Sequence, residues 1–252
     1  MRLEGKVALI TGGSRGIGCG IALGFAGEGA EVIISYRERE DKAEEVLRKI
    51  RETGRRATAV KADMGSMEEV RALADTAWNA FGRIDILVNN AGVAYFRDFL
   101  RMPFTEWREV LSVNLDGVML LSQAVVRKMI EKKIRGKVIN ISSINGFQVE
   151  LNHSHYNVSK AGLNMLTMSM AAELGPYGIN VNGLAPDIVY TDIIPEGFWE
   201  KEGAAFIKKT PLGRKARVED CVGPAIFLAS KEADYIHGQT LLLDGGMSIT
   251  QL

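Results

Sequence analysis

Thr11-Gly12-Gly13-Ser14-Arg15-Gly16-Ile17-Gly18 follows directly on the apolar run Val7 to Ile10 and leads into a segment with Ile21, Ala22, Phe25 and Ala26 on one face. Glycines between a strand and a helix let backbone N–H groups approach a phosphate, and the positive end of the helix dipole adds to the attraction. The chemistry this spacing offers is the binding of a pyrophosphate. Neither G-x-G-x-x-G nor the P-loop consensus is present. Gly12-Gly13-Ser14-Arg15-Gly16 also matches G-x-S-x-G, the nucleophile elbow of serine hydrolases, with His153, His155 and His237 downstream as candidate bases. Against hydrolysis, the elbow would sit on the first strand, and nothing near it provides an oxyanion loop.

Such a turn works only if strands deliver it to a common edge with the other reacting groups. Short apolar runs recur at Val7 to Ile10, Val32 to Ser35, Ala57 to Val60, Ile86 to Val88, Val138 to Ile141, Ile179 to Leu184 and Thr240 to Leu243. Between them lie amphipathic segments. Asp41 to Thr53 carries a stripe of Ala43, Val46, Leu47 and Ile50 and stops at Gly54, and Met67 to Phe81 repeats the design. This alternation predicts an α/β fold with a doubly wound, seven-stranded parallel sheet covered by helices on both faces. No repeat or linker divides residues 1–252, so a single domain is expected. Ligands should bind just past the carboxyl ends of the strands.

Thirty-one basic residues balance 31 acidic ones in 252, and 46% of the chain is hydrophobic. Without a clustered basic surface, neither nucleic acid nor an acidic membrane is an expected partner. Cys19 and Cys221 form no C-x-x-C pair, so no disulfide framework or metal site is expected, and a reducing cytoplasm fits. The first residues lack a leader's apolar region, and no stretch is expected to reach the ~18 to 20 apolar residues of a membrane helix.

The spacing Gly12, Gly16, Gly18 resembles the T-G-x-x-x-G-I-G turn of the short-chain dehydrogenase/reductase family. Further marks stand in order: Asp63-Met64, Asn89-Asn90-Ala91-Gly92, Asn114, Ser143, Tyr156-Asn157-Val158-Ser159-Lys160 and Asp244-Gly245-Gly246. The resemblance covers nearly the whole chain. It implies a Rossmann-type fold and an oxidoreductase that interconverts a CH–OH group and a carbonyl with a nicotinamide dinucleotide. Carried over residue by residue, the cofactor contacts are Gly12, Ser14, Arg15, Gly16, Ile17, Gly18, Tyr36, Arg37, Asp63, Met64, Asn90, Ala91, Gly92, Tyr156, Lys160, Pro186, Ile188 and Thr191. One departure stands out: the family has Pro-Gly after the sixth strand, whereas this chain has Pro186-Asp187.

The resemblance makes Asn114, Ser143, Tyr156 and Lys160 the catalytic set. A free tyrosine has a pKa near ~10 and is a poor base at neutral pH. Lys160, one helical turn on, shares a face with Tyr156, so its ammonium is expected to lower that pKa. By resemblance Lys160 also binds the nicotinamide ribose, Ser143 holds the substrate oxygen, and the backbone carbonyl of Asn114 orders a water leading to Lys160. Ser142 is the weaker serine candidate. His153 and His155 are read as loop surface or pocket wall.

An acid at the end of the second strand would select NAD by bonding the ribose 2′-hydroxyl. Tyr36 stands there instead, followed by Arg37 and with Arg15 in the glycine turn, so NADP is expected, with NAD possible. Substrate contacts are expected from Ser143, Asn145, Gln148 and Tyr156, in a wall that includes Tyr95, Phe96, Glu150 and Asp187. Residues 188–212, with Tyr190, Phe198, Trp199 and Phe206, form the expected lid. The polar wall points to a sugar or other hydroxylated small molecule. The pattern is similar to bacterial glucose dehydrogenases and also to 3-oxoacyl-carrier-protein reductases, the alternative; a non-enzymatic NADP sensor is a remoter one. The helix Tyr156 to Leu174 is apolar around most of its circumference, and a homotetramer is the assembly implied.

Overall fold

The computed structural model describes residues 1–189, 197 and 203–249. Strands β1 (Val7–Ile10), β2 (Glu31–Tyr36), β3 (Ala57–Lys61), β4 (Ile86–Asn89), β5 (Lys137–Ile141), β6 (Asn180–Pro186) and β7 (Thr240–Leu243) form one sheet in the order β3-β2-β1-β4-β5-β6-β7. Every neighbouring pair is parallel. The strand order reverses beside β1, between β1 and β4, and ligands of doubly wound sheets bind at such a reversal.

The sheet is covered on both faces because successive side chains of its strands point opposite ways. From β1, Ala8 and Ile10 face one core, packed with Ile21 and Phe25 of α1 (Gly16–Gly27), Val46, Leu47 and Ile50 of α2 (Glu40–Glu52), and, far along the chain, Ala225 and Ile226 of α8 (Val218–Ala229). Val7 and Leu9 face the other core. It is built from Leu73 and Trp78 of α3 (Met67–Phe81), Leu121 and Val125 of α5 (Gly117–Glu131), and Ala171 of α6 (Ser154–Leu174). Each fully buried Ile or Leu contributes roughly 1.5–3 kcal/mol. Two shorter helices, α4 (Phe104–Leu111) and α7 (Gly203–Lys209), complete the described set.

One sequence expectation needs correcting. Through the turn Ser112–Asp116 that joins α4 to α5, Phe104–Glu131 is by length and composition long and apolar enough to cross a membrane. Half of its apolar window is buried inside the fold, as befits a core helix. The sequence reading missed this length because Glu109 and Asp116 interrupt the apolar run.

About half of the expected lid, residues 190–196 and 198–202, lies outside the described residues, as does the Phe206 side chain. Tyr190, Thr191, Phe198 and Trp199 belong to that part, so the Thr191 cofactor contact is without a structural account.

Candidate active site

The glycine turn is bolted to the loop after β4. Gly12 and Gly16 have φ of +63° and +55°, where a Cβ would be strained. Thr11 Oγ1 accepts from the backbone N–H groups of Asn90 and Ala91, at 2.9 and 3.0 Å. Asn90 Nδ2 donates back to the carbonyls of Thr11 and Gly12, at 2.8 and 3.2 Å. A Cβ at Gly18 would run into Asn90 Nδ2 and the Gly12 carbonyl, so glycine there lets the two loops touch. Arg15 opens α1 without a side-chain cap, which leaves the first-turn N–H groups for a phosphate.

A cavity of about 960 Å³ runs from this turn along the carboxyl edge of the sheet, past Arg37 at one end and Tyr156 and Asp187 at the other. Ser14, Arg15, Ile17, Met64, Asn90, Ala91, Gly92, Pro186 and Ile188 line it, as do Gly12 and Gly16. At the β2 end, Tyr36 is buried; its desolvation and the nearby Glu40 push the phenol pKa up, so it presents a neutral hydroxyl. Arg37 pairs with exposed Glu38, at 3.0 Å, a surface pair worth about 0–1 kcal/mol that a phosphate could displace. Asp63 closes its own turn, its Oδ1 taking the Gly65 N–H at 2.8 Å. The left-handed glycines, the uncapped helix start and the long cavity fit a dinucleotide.

At the other end, α6 presents Tyr156 and Lys160 toward the loop after β5. Lys160 is 4% exposed, donates from Nζ to the Ile141 carbonyl at 2.8 Å, and sits 5.5 Å from the centre of the Tyr156 ring. Its desolvation pulls the amine down to about 8. The Tyr156 phenol is pushed up to about 12 by desolvation, against a hydrogen bond from Ser143, with the Glu150 charge adding to the rise. The expected lowering of this pKa by Lys160 is therefore not found. Desolvation wins, and the ammonium lies over the ring and is engaged by a carbonyl.

Ser143 leaves β5 in extended conformation, and its Oγ accepts the Asn145 N–H at 3.2 Å. Ser142 Oγ instead bonds the Lys160 carbonyl, at 3.3 Å, which makes it a strut for α6. Asn114 lies in a π-helical turn, Ser112–Asp116, the local distortion its place in an apolar helix suggested. Its buried side chain grips Val93 on both backbone groups, at 2.9 Å each, and donates to Ser159 Oγ at 3.1 Å. Asn114 thus ties α6 to the β4 loop.

Of the expected wall, Asn145 Nδ2 donates to Glu150 Oε2 at 2.7 Å, and His153 Nδ1 meets the same oxygen at 2.9 Å. Gln148 lines the cavity, as do Tyr95 and Phe96, though the Tyr95 hydroxyl is spent on Glu109 at 2.8 Å. His155 is fully buried against Glu106 and His237 bonds the Ala171 carbonyl, so among the described residues no histidine pairs with Ser14, and the hydrolase reading fails. Sequence reasoning missed the Thr11 bolt, Ser159, the Glu150–His153 pair and a buried chain in which Asn89 Nδ2 donates to Asn140 Oδ1 and Asn140 Nδ2 to Thr167 Oγ1, each at 2.8 Å. Polar residues inside apolar strand runs were the available signal for that chain.

The family model described as enoyl-(acyl carrier protein) reductase matches residues 12–248. An L-rhamnose 1-dehydrogenase (NADP(+)) of Thermoplasma acidophilum is 41% identical over 247 residues, 98% of this chain and 97% of its own. A 3beta-hydroxysteroid dehydrogenase 1 of Eggerthella lenta is 39% identical over 248 residues, 98% of this chain and 95% of its own. Among solved structures, a gluconate 5-dehydrogenase from Burkholderia cenocepacia in complex with NADP and tartrate is similar with a TM-score of 0.93 and 38% identity, covering 99% of this chain and 98% of its own. With the glycine turn, the Asn90 bolt and the Tyr156–Lys160 helix joined along one cavity, and relatives matched over almost their full lengths, the chain belongs to the short-chain dehydrogenase/reductase family of oxidoreductases.

Proposed function

We propose that the protein is an NADP(H)-preferring oxidoreductase that interconverts a secondary alcohol and a carbonyl on a sugar or other polyhydroxylated small molecule. The observation that carries this reading is one continuous cavity, with Arg15 and Arg37 at an end of β2 that lacks an acid at position 36, and Ser143, Tyr156 and Lys160 at the far end. Similarity to an NADP-using rhamnose dehydrogenase supports both the cofactor and the substrate class. The test is the reduced-nicotinamide absorbance across aldoses, polyols, simple secondary alcohols and 3-oxoacyl thioesters. A polyol or aldose is expected to give the highest kcat/KM; preference for thioesters over every polyol would refute the reading.

A bound nicotinamide dinucleotide supplies the hydride chemistry. The protein supplies a place for the substrate oxygen and a route for its proton. Ser143 Oγ and the Tyr156 hydroxyl hold that oxygen, and Tyr156 gives or takes the proton. A phenol pushed up to about 12 is a proton donor at neutral pH, which suits carbonyl reduction. In the oxidative direction the Lys160 ammonium must offset the phenolate charge, the work its place over the Tyr156 ring allows. The Asn114 turn holds the loop against Lys160, and its backbone carbonyl is the proposed start of a water path to that amine.

Arg15 and Arg37 would hold a ribose 2′-phosphate by charge-assisted bonds. Arg37→Glu is expected to lower kcat/KM for NADP about ten- to a hundredfold while NAD falls less, since a charged hydrogen bond contributes ~1.5–3 kcal/mol. Adding Tyr36→Asp should reverse the preference. Equal losses with both cofactors, in parallel kinetics, would argue against the phosphate site.

The assembly proposed is a homotetramer. Val158, Met165 and Met168 of α6 are 47%, 61% and 54% exposed, an apolar surface unusual on an isolated helix face. Light scattering of the wild type should give four chains per particle, and Met165→Asp with Met168→Asp should give a smaller one. A monomeric wild type at micromolar concentration would contradict this. Residues 1–252 are proposed to act as one domain with a substrate lid at 188–212. Two free cysteines, Cys19 and buried Cys221, support a cytoplasmic setting.

A further inference from the structure

Two side chains that line the cavity beside Tyr156 each carry a buried polar atom with no hydrogen-bond partner among the described residues: His153 Nε2 and Asp187 Oδ1. His153 is 5% exposed, its ring packed on Phe96 with centroids 3.9 Å apart and lying 5.5 Å from the Tyr156 ring. Its Nδ1 is committed to Glu150 Oε2 at 2.9 Å. Burial alone would push the Glu150 carboxyl up, but the bonds from His153 and Asn145 hold it below its ordinary range. Glu150 is therefore an acceptor, and the imidazole proton belongs on Nδ1. With Nδ1–H committed to Glu150, Nε2 is the ring atom left for a ligand, and in the unprotonated ring it is a lone-pair acceptor.

Asp187 approaches from the end of β6, its backbone N–H fixed on the Leu243 carbonyl at 3.1 Å. It puts a carboxylate where the family pattern has a glycine hydrogen. Glu150, Asp187 and Tyr156 line the same cavity; Asp187 feels the charge of Asp244 and then of Glu150, and Tyr156 that of Glu150. A buried acceptor left without a donor costs about 1–3 kcal/mol, which a ligand can recover only by bringing an O–H or N–H.

We propose that His153 and Asp187 are specificity-determining residues, a pair of acceptors that take hydroxyl hydrogens from the carbons neighbouring the one that reacts. Ligands with such hydroxyls are sugars and polyols. The thioester carbonyl of a 3-oxoacyl substrate, whose keto oxygen sits on Ser143 and Tyr156, is itself an acceptor and brings no hydrogen for either group. The inference rests on the polyol reading of the active site and names the side chains that enforce it.

The test separates the two nitrogens of His153. Asparagine places its amide where Nδ1 lies and keeps the bond to Glu150, whereas glutamine reaches the position of Nε2. With the polyol or aldose that the wild type oxidises best, His153→Asn is expected to raise KM about tenfold or more with kcat changed far less, and His153→Gln to stay within about threefold of the wild type. Asp187→Ala should also raise KM about tenfold, and the rise should be at least several-fold smaller for cyclohexanol, which carries one hydroxyl. NADPH affinity by fluorescence titration checks that each variant is folded; if His153→Asn does not fold, Asp187→Ala decides. Equal behaviour of the Asn and Gln variants, or equal losses on cyclohexanol and the polyol, would overturn the proposal while leaving the polyol reading intact. A wild type that oxidises cyclohexanol and no polyol would overturn the polyol reading itself, before any variant is made.

Discussion

Tyr156→Phe is expected to lower kcat by about a thousandfold or more while leaving NADPH affinity within about threefold of the wild type. The hydroxyl, hydrogen-bonded to Ser143, is the group proposed to hand a proton to a substrate oxygen that Ser143 holds. Positioned acid–base catalysis of this kind contributes ~10²–10⁴-fold. Phenylalanine keeps the ring against His153 and under Lys160 and removes only the oxygen. Stopped-flow absorbance in both directions checks the outcome, and the loss should appear in kcat because the missing group acts on the transition state. A variant that retained a tenth of the activity would mean that another group moves the proton.

Lys160→Met has two opposed effects. Turnover should fall at least as far as in Tyr156→Phe, because the phenolate loses its compensating charge and the nicotinamide ribose its donor. The free protein, however, should become more stable. Lys160 is pulled from its ordinary 10.5 to about 8 by desolvation, which corresponds to roughly 3 kcal/mol against the folded state when the amine is charged. The folded pKa lies below the unfolded one, so the penalty is full below about pH 8 and disappears as pH rises to the unfolded value. Losing the bond to the Ile141 carbonyl takes back about 1 kcal/mol. A net gain of ~1–2 kcal/mol should raise Tm by several degrees at pH 7, and above pH 10.5, where only the lost bond of about 1 kcal/mol remains, the variant should be slightly less stable than the wild type. Thermal unfolding of the two proteins at both pH values checks this, and a destabilised variant at pH 7 would show that the buried charge is better compensated than its surroundings indicate.

What was legible from the sequence was local. Gly12 to Gly18 sit between a strand and a helix that their own neighbours define, and Tyr156 and Lys160 share a helix face by spacing alone. The two-faced sheet could be read because Ala8 and Ile10 alternate with Val7 and Leu9. The pKa of Tyr156 could not be read so. Spacing places a lysine nearby, but burial decides the sign, and burial depends on everything that packs over the site. His153, Glu150 and Asn145 come together through a loop whose path no periodicity encodes. Asp187 stood out as a departure, yet its exposed or buried state depended on β7 and on where Glu150 came to rest. Asn114 fell between these cases. A polar residue in an apolar helix signalled a distortion, but the grip on Val93 required the β4 loop to arrive beside it.

The most direct measurement pairs binding with chemistry: titration of the wild type and of Tyr156→Phe with NADPH and with NADH, followed in the same samples by turnover on the best polyol. The account predicts that both proteins bind NADPH equally and at least tenfold more tightly than NADH, and that only the wild type turns over. Binding of neither dinucleotide would contradict the reading of the glycine turn, and turnover by Tyr156→Phe at the wild-type rate would contradict the reading of the site.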